Sequence, residues 1–316
     1  MAWLEVIAGI LLLTVGGDRL VSGASRLALA ANVTPMVVGL TVVAFGTSMP
    51  ELMTSVIAAW HGTPTLAIAN ILGSNIANLI LALPLGALLA PLKVEVETIR
   101  RDLPLMVVAT LLFVGLYAWL GLTVVTGLVM LGAMGGVTAF QVVSARQEPA
   151  PVQDEWEEEV TGVVERLPST GGAFLAIVVG IAFMVGGGTL LVEGAVAIAQ
   201  GMGVSDRLIG LTVVAVGTSA PEIFTTLVAV YRGQTDVAIG NAVGSNLFNL
   251  LGIGGVLGVL APGSGDPGLV AVDAPAVVVV SVVVSILLWQ REVMSRGMAV
   301  FLLATYSGYV ALAAAM

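Results

Sequence analysis

Residues 39–79 read GLTVVAFGTSMPELMTSVIAAWHGTPTLAIANILGSNIANL, and residues 210–250 read GLTVVAVGTSAPEIFTTLVAVYRGQTDVAIGNAVGSNLFNL. Set against each other at an offset of 171 residues, they align without a gap and share 22 of 41 positions, a self-similarity that marks an internal duplication. The same offset lays Gly16-Gly17 on Gly187-Gly188 and Gly23-Ala24 on Gly194-Ala195, so the copies extend towards the start of each half.

The surroundings of the repeat decide what kind of chain this is. Of its 316 residues 58% are hydrophobic and only 10% charged, too much apolar surface for a water-soluble core of ordinary size. Ten apolar stretches are long enough to cross a bilayer as helices: roughly 3–25, 34–60, 65–90, 102–119, 122–143, 172–200, 205–231, 237–261, 270–289 and 298–315. Their continuous Leu, Ala, Val and Gly content lacks the alternation of a lipid-facing barrel, so an all-α membrane protein is expected. The first five residues, Met1-Ala2-Trp3-Leu4-Glu5, lack the basic leading region of a cleaved signal.

Each half then holds five spans. Because five is odd, matching points of the two copies face opposite sides of the membrane, which predicts two inverted five-helix repeats, 1–145 and 171–316. With both termini outside, Lys93, Arg100, Arg101, Arg146, Arg166, Arg232, Arg291 and Arg296 fall in or beside cytoplasmic loops and Arg207 falls outside, as the positive-inside rule favours. The segment 146–170 is an acidic cytoplasmic linker that carries Asp154, Glu155, Glu157, Glu158, Glu159 and Glu165, much of the net charge of −9.

Polar residues gather where a membrane helix tolerates them least. Gly46-Thr47-Ser48-Met49-Pro50-Glu51 lies in the second span and Gly217-Thr218-Ser219-Ala220-Pro221-Glu222 in the seventh. Proline removes an amide donor and glycine weakens the same turn, so both helices should break there and release carbonyls. An ionised glutamate at this depth needs a partner, and neither stretch has a Lys or Arg. A bound cation answers that need, and two symmetry-related carboxylates together match one divalent ion. The third and eighth spans add Asn70, Gly73-Ser74-Asn75 and Asn78, and Asn241, Gly244-Ser245-Asn246 and Asn249. Ser74 and Asn78, four apart, share a helix face. Thr41, Thr54 and Asn75 read equally well as interhelical hydrogen-bonding residues. With no cysteine and His61 as the one histidine, the donor set is oxygen, which suits sodium, calcium, magnesium or protons better than a transition metal. Asp18 and Arg19 read as a local charge pair, and Trp3, Trp60, Trp119 and Trp289 as interfacial aromatics.

At these residues the chain resembles the calcium/cation antiporter superfamily, in particular its prokaryotic-type sodium/calcium exchanger branch. The doubled Gly-Thr-Ser-x-Pro-Glu and the doubled Gly-Ser-Asn-x-x-Asn carry the resemblance. It implies that Glu51 and Glu222 bind calcium in alternation with sodium, that Ala44 and Ala215 lend carbonyls, and that Thr47, Thr218, Ser74 and Ser245 serve the sodium positions. Asn78 and Asn249 complete the middle of the implied site, with Ser48 and Ser219 beside it. The first and sixth spans are implied to slide across the rest. Some branches, including potassium-dependent ones, have an aspartate at the position of Asn249, so the neutral amide here argues against potassium coupling.

The expectation is an antiporter in the cell membrane that exchanges calcium for sodium by alternating access, with proton coupling as the alternative and a cation channel as the less favoured reading. No enzyme is expected, since a lone His61 at a span end offers a serine no base. No cofactor is expected beyond the transported ions. Inorganic cations and the lipid bilayer are the expected partners, and nothing points to nucleic acid or to an obligate protein partner.

Overall fold

The structure is a computed structural model that describes residues 1–31, 35–96, 98–145, 169–203, 215–263 and 267–315. The described chain is almost wholly helical: α1 (Ala2–Ala31), α2 (Met36–Thr47), α3 (Met49–Trp60), α4 (Pro64–Leu89), α5 (Thr98–Leu120), α6 (Val124–Ala145), α7 (Thr170–Gly201), α8 (Ala215–Thr218), α9 (Ala220–Tyr231), α10 (Thr235–Leu260), α11 (Pro267–Ala271), α12 (Asp273–Arg291) and α13 (Arg296–Ala315). Six of these, α4, α5, α6, α7, α10 and α12, are each long and apolar enough to cross a membrane, and α2 with α3 makes a seventh span bent by 42°. Helix α9 and residues Arg296–Leu312 of α13 are shorter apolar helices. The chain is a multi-pass membrane protein. Most of the acidic linker, the start of the seventh expected span and Arg207 lie outside the described residues.

One small departure from an all-helical chain is a two-stranded antiparallel ribbon, β1 (Leu92–Lys93) with β2 (Val293–Met294), in the register Leu92 to Met294. A single bridge, Leu122 to Gly263, closes a second loop pair. Both clip a loop of one half to a loop of the other.

The broken span follows directly from its sequence. Pro50 and Pro221 sit in the first turn of α3 and α9, where a missing N–H costs least. The turn before each cannot be helical throughout: Ser48 (φ −84°, ψ 7°) and Ser219 (φ −86°, ψ 7°) adopt the same bridging conformation. Widened π-type turns occur at Gly39–Val43, Asn78–Ala82 and Phe248–Ile253, so Asn78 and Asn249 sit in the irregular part of their helices. Such turns recur at functional sites because they redirect side chains and loosen the backbone ladder.

Glycine sets how closely the helices approach. Gly9, Gly16 and Gly23 line α1, and Gly180, Gly187 and Gly194 line α7. A methyl group added at Gly9 would stand 2.7 Å from Gly187 O, one at Gly16 2.9 Å from Gly180 O, and one at Gly194 2.6 Å from Ala2 O. The two helices therefore run with their backbones in contact, as small residues permit in membranes. Helix α10 lies equally close to α2, where a methyl at Gly240 would stand 2.7 Å from Met36 O. This second approach brings Asn241 and Ser245 against Thr47.

Helix α1 also packs along α9, whereas its counterpart by the 171-residue offset, α7, makes no comparable contact with α3. The α1–α9 seam is polar at one end. Asp18 pairs there with Arg232, which also donates to Ser22 Oγ, and Ser25 Oγ donates to Gln234 Oε1 at 3.1 Å. The expected local pair of Asp18 with Arg19 is thus corrected. Arg232 is brought to Asp18 by the end of α9.

Candidate cation site

Glu51 and Glu222 are both fully buried, one turn into α3 and α9 beyond the breaks. They lie close enough to feel each other's charge. Neither pairs with a Lys or Arg among the described residues, where Arg101 pairs with Asp102 and Arg232 with Asp18. Two carboxylates withdrawn from water cost several kcal/mol each unless something balances them. Among the described residues no Lys or Arg pairs with either.

The break of each half faces the other half. Ser48 Oγ donates to Glu222 Oε1 at 3.1 Å. Thr47 Oγ1 lies 3.0 Å from Asn241 Oδ1 and 3.3 Å from Ser245 Oγ, both on α10. At the matching place, Thr218 Oγ1 donates to Asn70 Oδ1 on α4 at 3.5 Å. Asn70 in turn donates to Ser55 Oγ (3.0 Å) and Glu51 O (3.3 Å), which ties α3 to α4. Ser219 faces Glu51, yet Ser219 Oγ and both Glu51 carboxylate oxygens lack a hydrogen-bond partner.

Several buried oxygens are left over. Besides those of Glu51, they are Glu222 Oε2, Asn75 Oδ1, Asn78 Oδ1, Asn249 Oδ1 and the hydroxyls of Ser219, Thr226 and Ser285. An orphaned buried polar atom costs about 1–3 kcal/mol, and neutral and anionic oxygens of this kind are the donors that suit a hard cation. Among the described residues no group of three His, Cys, Asp or Glu that could hold a metal ion occurs, so a cation here would need amide, hydroxyl or main-chain oxygens beside the two carboxylates. Ser74 and Ser245 are buried on α4 and α10, and Ala44 is buried on α2. The Ala44 carbonyl already accepts from Ser48 N–H (3.0 Å) and Thr47 Oγ1 (3.3 Å). Ala215 begins α8, directly before the second break.

The sequence marks Asn70, Asn241 and Asn246 as repeated polar residues of the third and eighth spans, and the structure adds the contacts they make. Asp102, fully buried, is a polar residue that sequence reasoning passed over: Arg101 Nη2 and Gln141 Nε2 each donate to it at 3.1 Å. The signal for it is the same offset, which sets Asp102-Leu103-Pro104 on Asp273-Ala274-Pro275. Asp273 accepts from Tyr309 at 2.9 Å.

A broken-helix membrane fold around two buried carboxylates without an ion-pair partner among the described residues is compatible with a cation antiporter, the class to which comparisons with known proteins assign the chain. The chain belongs to the sodium/calcium exchanger protein family, which matches residues 1–143 and 172–315, and within the calcium/cation antiporters it falls in the prokaryotic sodium/calcium exchanger branch. It is 40% identical to CaxA of Alkalimonas amylolytica over 87% of this chain and 85% of that one. It is 28% identical to the sodium/calcium exchanger MaX1 of Methanosarcina acetivorans over 98% and 97%. Its structure superposes on that of the sodium-calcium exchanger NCX_Mj with a TM-score of 0.83, covering 98% of this chain and 97% of that one at 27% identity.

Proposed function

We propose that this chain exchanges calcium for sodium across the cell membrane by alternating access. The observation that carries the reading is the pair of fully buried carboxylates, Glu51 and Glu222, with no ion-pair partner among the described residues. Calcium balances both charges at once, and sodium ions do so in number. An empty site carries unneutralised charge into hydrocarbon, which makes empty reorientation costly and couples the two fluxes. Glu51, Glu222, Asn78 and Asn249 supply oxygens to the cation, with Thr47, Thr218, Ser74, Ser245, Ser48 and Ser219 around them and the carbonyls of Ala44 and Ala215 at the breaks. Calcium and sodium are substrates in this reading, and no resident cofactor or catalysed reaction is involved. The names of MaX1 and NCX_Mj support sodium as the counter-ion.

We read the architecture as ten spans in two inverted repeats, 1–145 and 171–316, joined by a cytoplasmic linker, with both termini outside. Contacts between residues 171 apart support it, since symmetry mates touch only beside the relating axis. Asn246 Nδ2 donates to Asn75 O at 3.2 Å, and Thr110 Oγ1 donates to Ser281 Oγ at 3.4 Å. The Leu122 to Gly263 bridge likewise corresponds to the pairing of Leu92–Lys93 with Val293–Met294. Helices α1 and α7, in backbone contact with each other, form the unit that slides.

Calcium uptake into proteoliposomes, measured with sodium, proton and potassium gradients imposed separately, tests the coupling. Uptake driven by sodium alone is expected. Uptake driven by a pH gradient in sodium-free medium would replace sodium with protons, and saturable flux without any exchange ion opposite would make the protein a channel or uniporter.

A further inference from the structure

Asn75 and Asn246 are symmetry mates that meet at the centre of the fold, and they are not used alike. Asn246 is fully buried; its amide nitrogen donates to Asn75 O at 3.2 Å and lies 3.7 Å from Met106 Sδ. With both neighbours of the nitrogen being acceptors, the orientation of the amide is fixed. Its Oδ1 must then face the other way, where it accepts from Asn78 Nδ2 at 3.1 Å. That bond fixes the second amide in turn. Asn78 has its nitrogen committed to Asn246, and its oxygen is left buried without a protein donor.

The mate behaves differently. Asn75 Nδ2 donates to Ile71 O, one turn back on its own helix, at 2.7 Å. Asn249, the mate of Asn78, has neither its nitrogen nor its oxygen partnered. Two identical side chains beside a twofold axis cannot both occupy the crossing position. Asn246 takes it, and Asn75 folds away.

We propose that Asn246 is a positioning residue for cation binding: it holds the Asn78 amide so that Oδ1 is a fixed ligand, while Asn249 remains an unheld amide that must orient when the cation arrives. The inference rests on the reading of the buried carboxylates as the cation site. A prearranged oxygen loses less freedom on binding than one that must be ordered, so the two halves of a nearly symmetrical site contribute unequally.

A double-mutant cycle on the full-length protein in nanodiscs tests this, read as equilibrium binding of radioactive calcium and its displacement by sodium. Asn246→Leu, close in volume and without hydrogen bonds, is expected to weaken calcium or sodium binding about 3- to 10-fold, as loss of one buried polar contact does. Asn78→Leu is expected to weaken the same ion, and the double variant no more than Asn78→Leu alone. Asn75→Leu and Asn249→Leu are expected to combine multiplicatively. Asn246→Gln, which keeps an amide with an oxygen for Asn78 and a nitrogen donor, is expected to bind more tightly than Asn246→Leu and so separates positioning from folding. Multiplicative losses at 246 and 78, coupling of equal size between 75 and 249, or a loss in Asn246→Gln as large as in Asn246→Leu would overturn the proposal. Glu51→Gln, run alongside, keeps the two readings apart. If it still binds calcium like wild type, the cation site itself is misplaced, whereas if it loses binding and the cycle is multiplicative, only the role of Asn246 falls.

Discussion

Asp18 of α1 pairs with Arg232 at the C-terminal end of α9, and this ion pair closes one end of the seam between the two helices. The Asp18 side chain is 42% exposed, so the pair contributes about 0–1 kcal/mol to folding. Its position matters more than its strength, because it joins a helix of the proposed sliding unit to one that carries a carboxylate.

Holding that seam shut should therefore stop exchange. The chain contains no cysteine, so Asp18→Cys with Arg232→Cys can be joined selectively by a short bifunctional thiol reagent. Sodium-driven calcium flux is expected to fall to background on cross-linking and to return when a cleavable linker is cut. Undiminished flux in quantitatively cross-linked protein would show that α1 and α9 need not separate.

The glycine contact between α1 and α7 gives a second expectation. Gly16→Leu or Gly187→Leu forces a side chain into the neighbouring backbone, since even a methyl at these positions would stand 2.9 Å or less from a main-chain or side-chain atom of the other helix. The pair must separate, and overpacking of this kind costs about 1–3 kcal/mol. A lower midpoint of thermal unfolding in detergent is expected, together with slower flux. Gly132→Leu is the control, because nothing lies within 4 Å of its added methyl. Equal effects at all three positions would count against a close-packed unit.

Asn249 is neutral and unheld, so Asn249→Asp would add a third carboxylate to a site that has two. The added group must be protonated or neutralised by an extra cation whenever the site reorients. Flux in the variant is expected to differ from wild type in its pH dependence, falling further as pH rises and the added carboxylate ionises. Superimposable pH profiles for the two proteins would place Asn249 away from the ions.

Much of this was legible in the sequence because membrane burial is unforgiving. Glu51 and Glu222, each behind a Pro and a Gly in an apolar run, had no structural explanation there, and their offset of 171 marked them as matching positions of the repeat. The breaks at Ser48 and Ser219 followed from Pro50 and Pro221 for the same reason. Tertiary choices were illegible. Nothing local says that Asp18 meets Arg232 and not Arg19, or that Asn246 crosses to its mate while Asn75 folds back. Asp102 was missed because Arg101 beside it reads as a loop charge, whereas its holder Gln141 comes from α6. The ribbon between Leu92–Lys93 and Val293–Met294 is likewise too short to leave a pattern.

The central claim is that Glu51 and Glu222 together hold the exchanged cation. Its most direct measurement is calcium uptake into sodium-loaded proteoliposomes containing Glu51→Gln, Glu222→Gln or wild-type protein at matched incorporation. The glutamines keep size and shape and remove only charge, so both variants are expected to lose at least about 100-fold in flux, equivalent to roughly 3 kcal/mol. Sodium-driven uptake at the wild-type rate in either variant would contradict it.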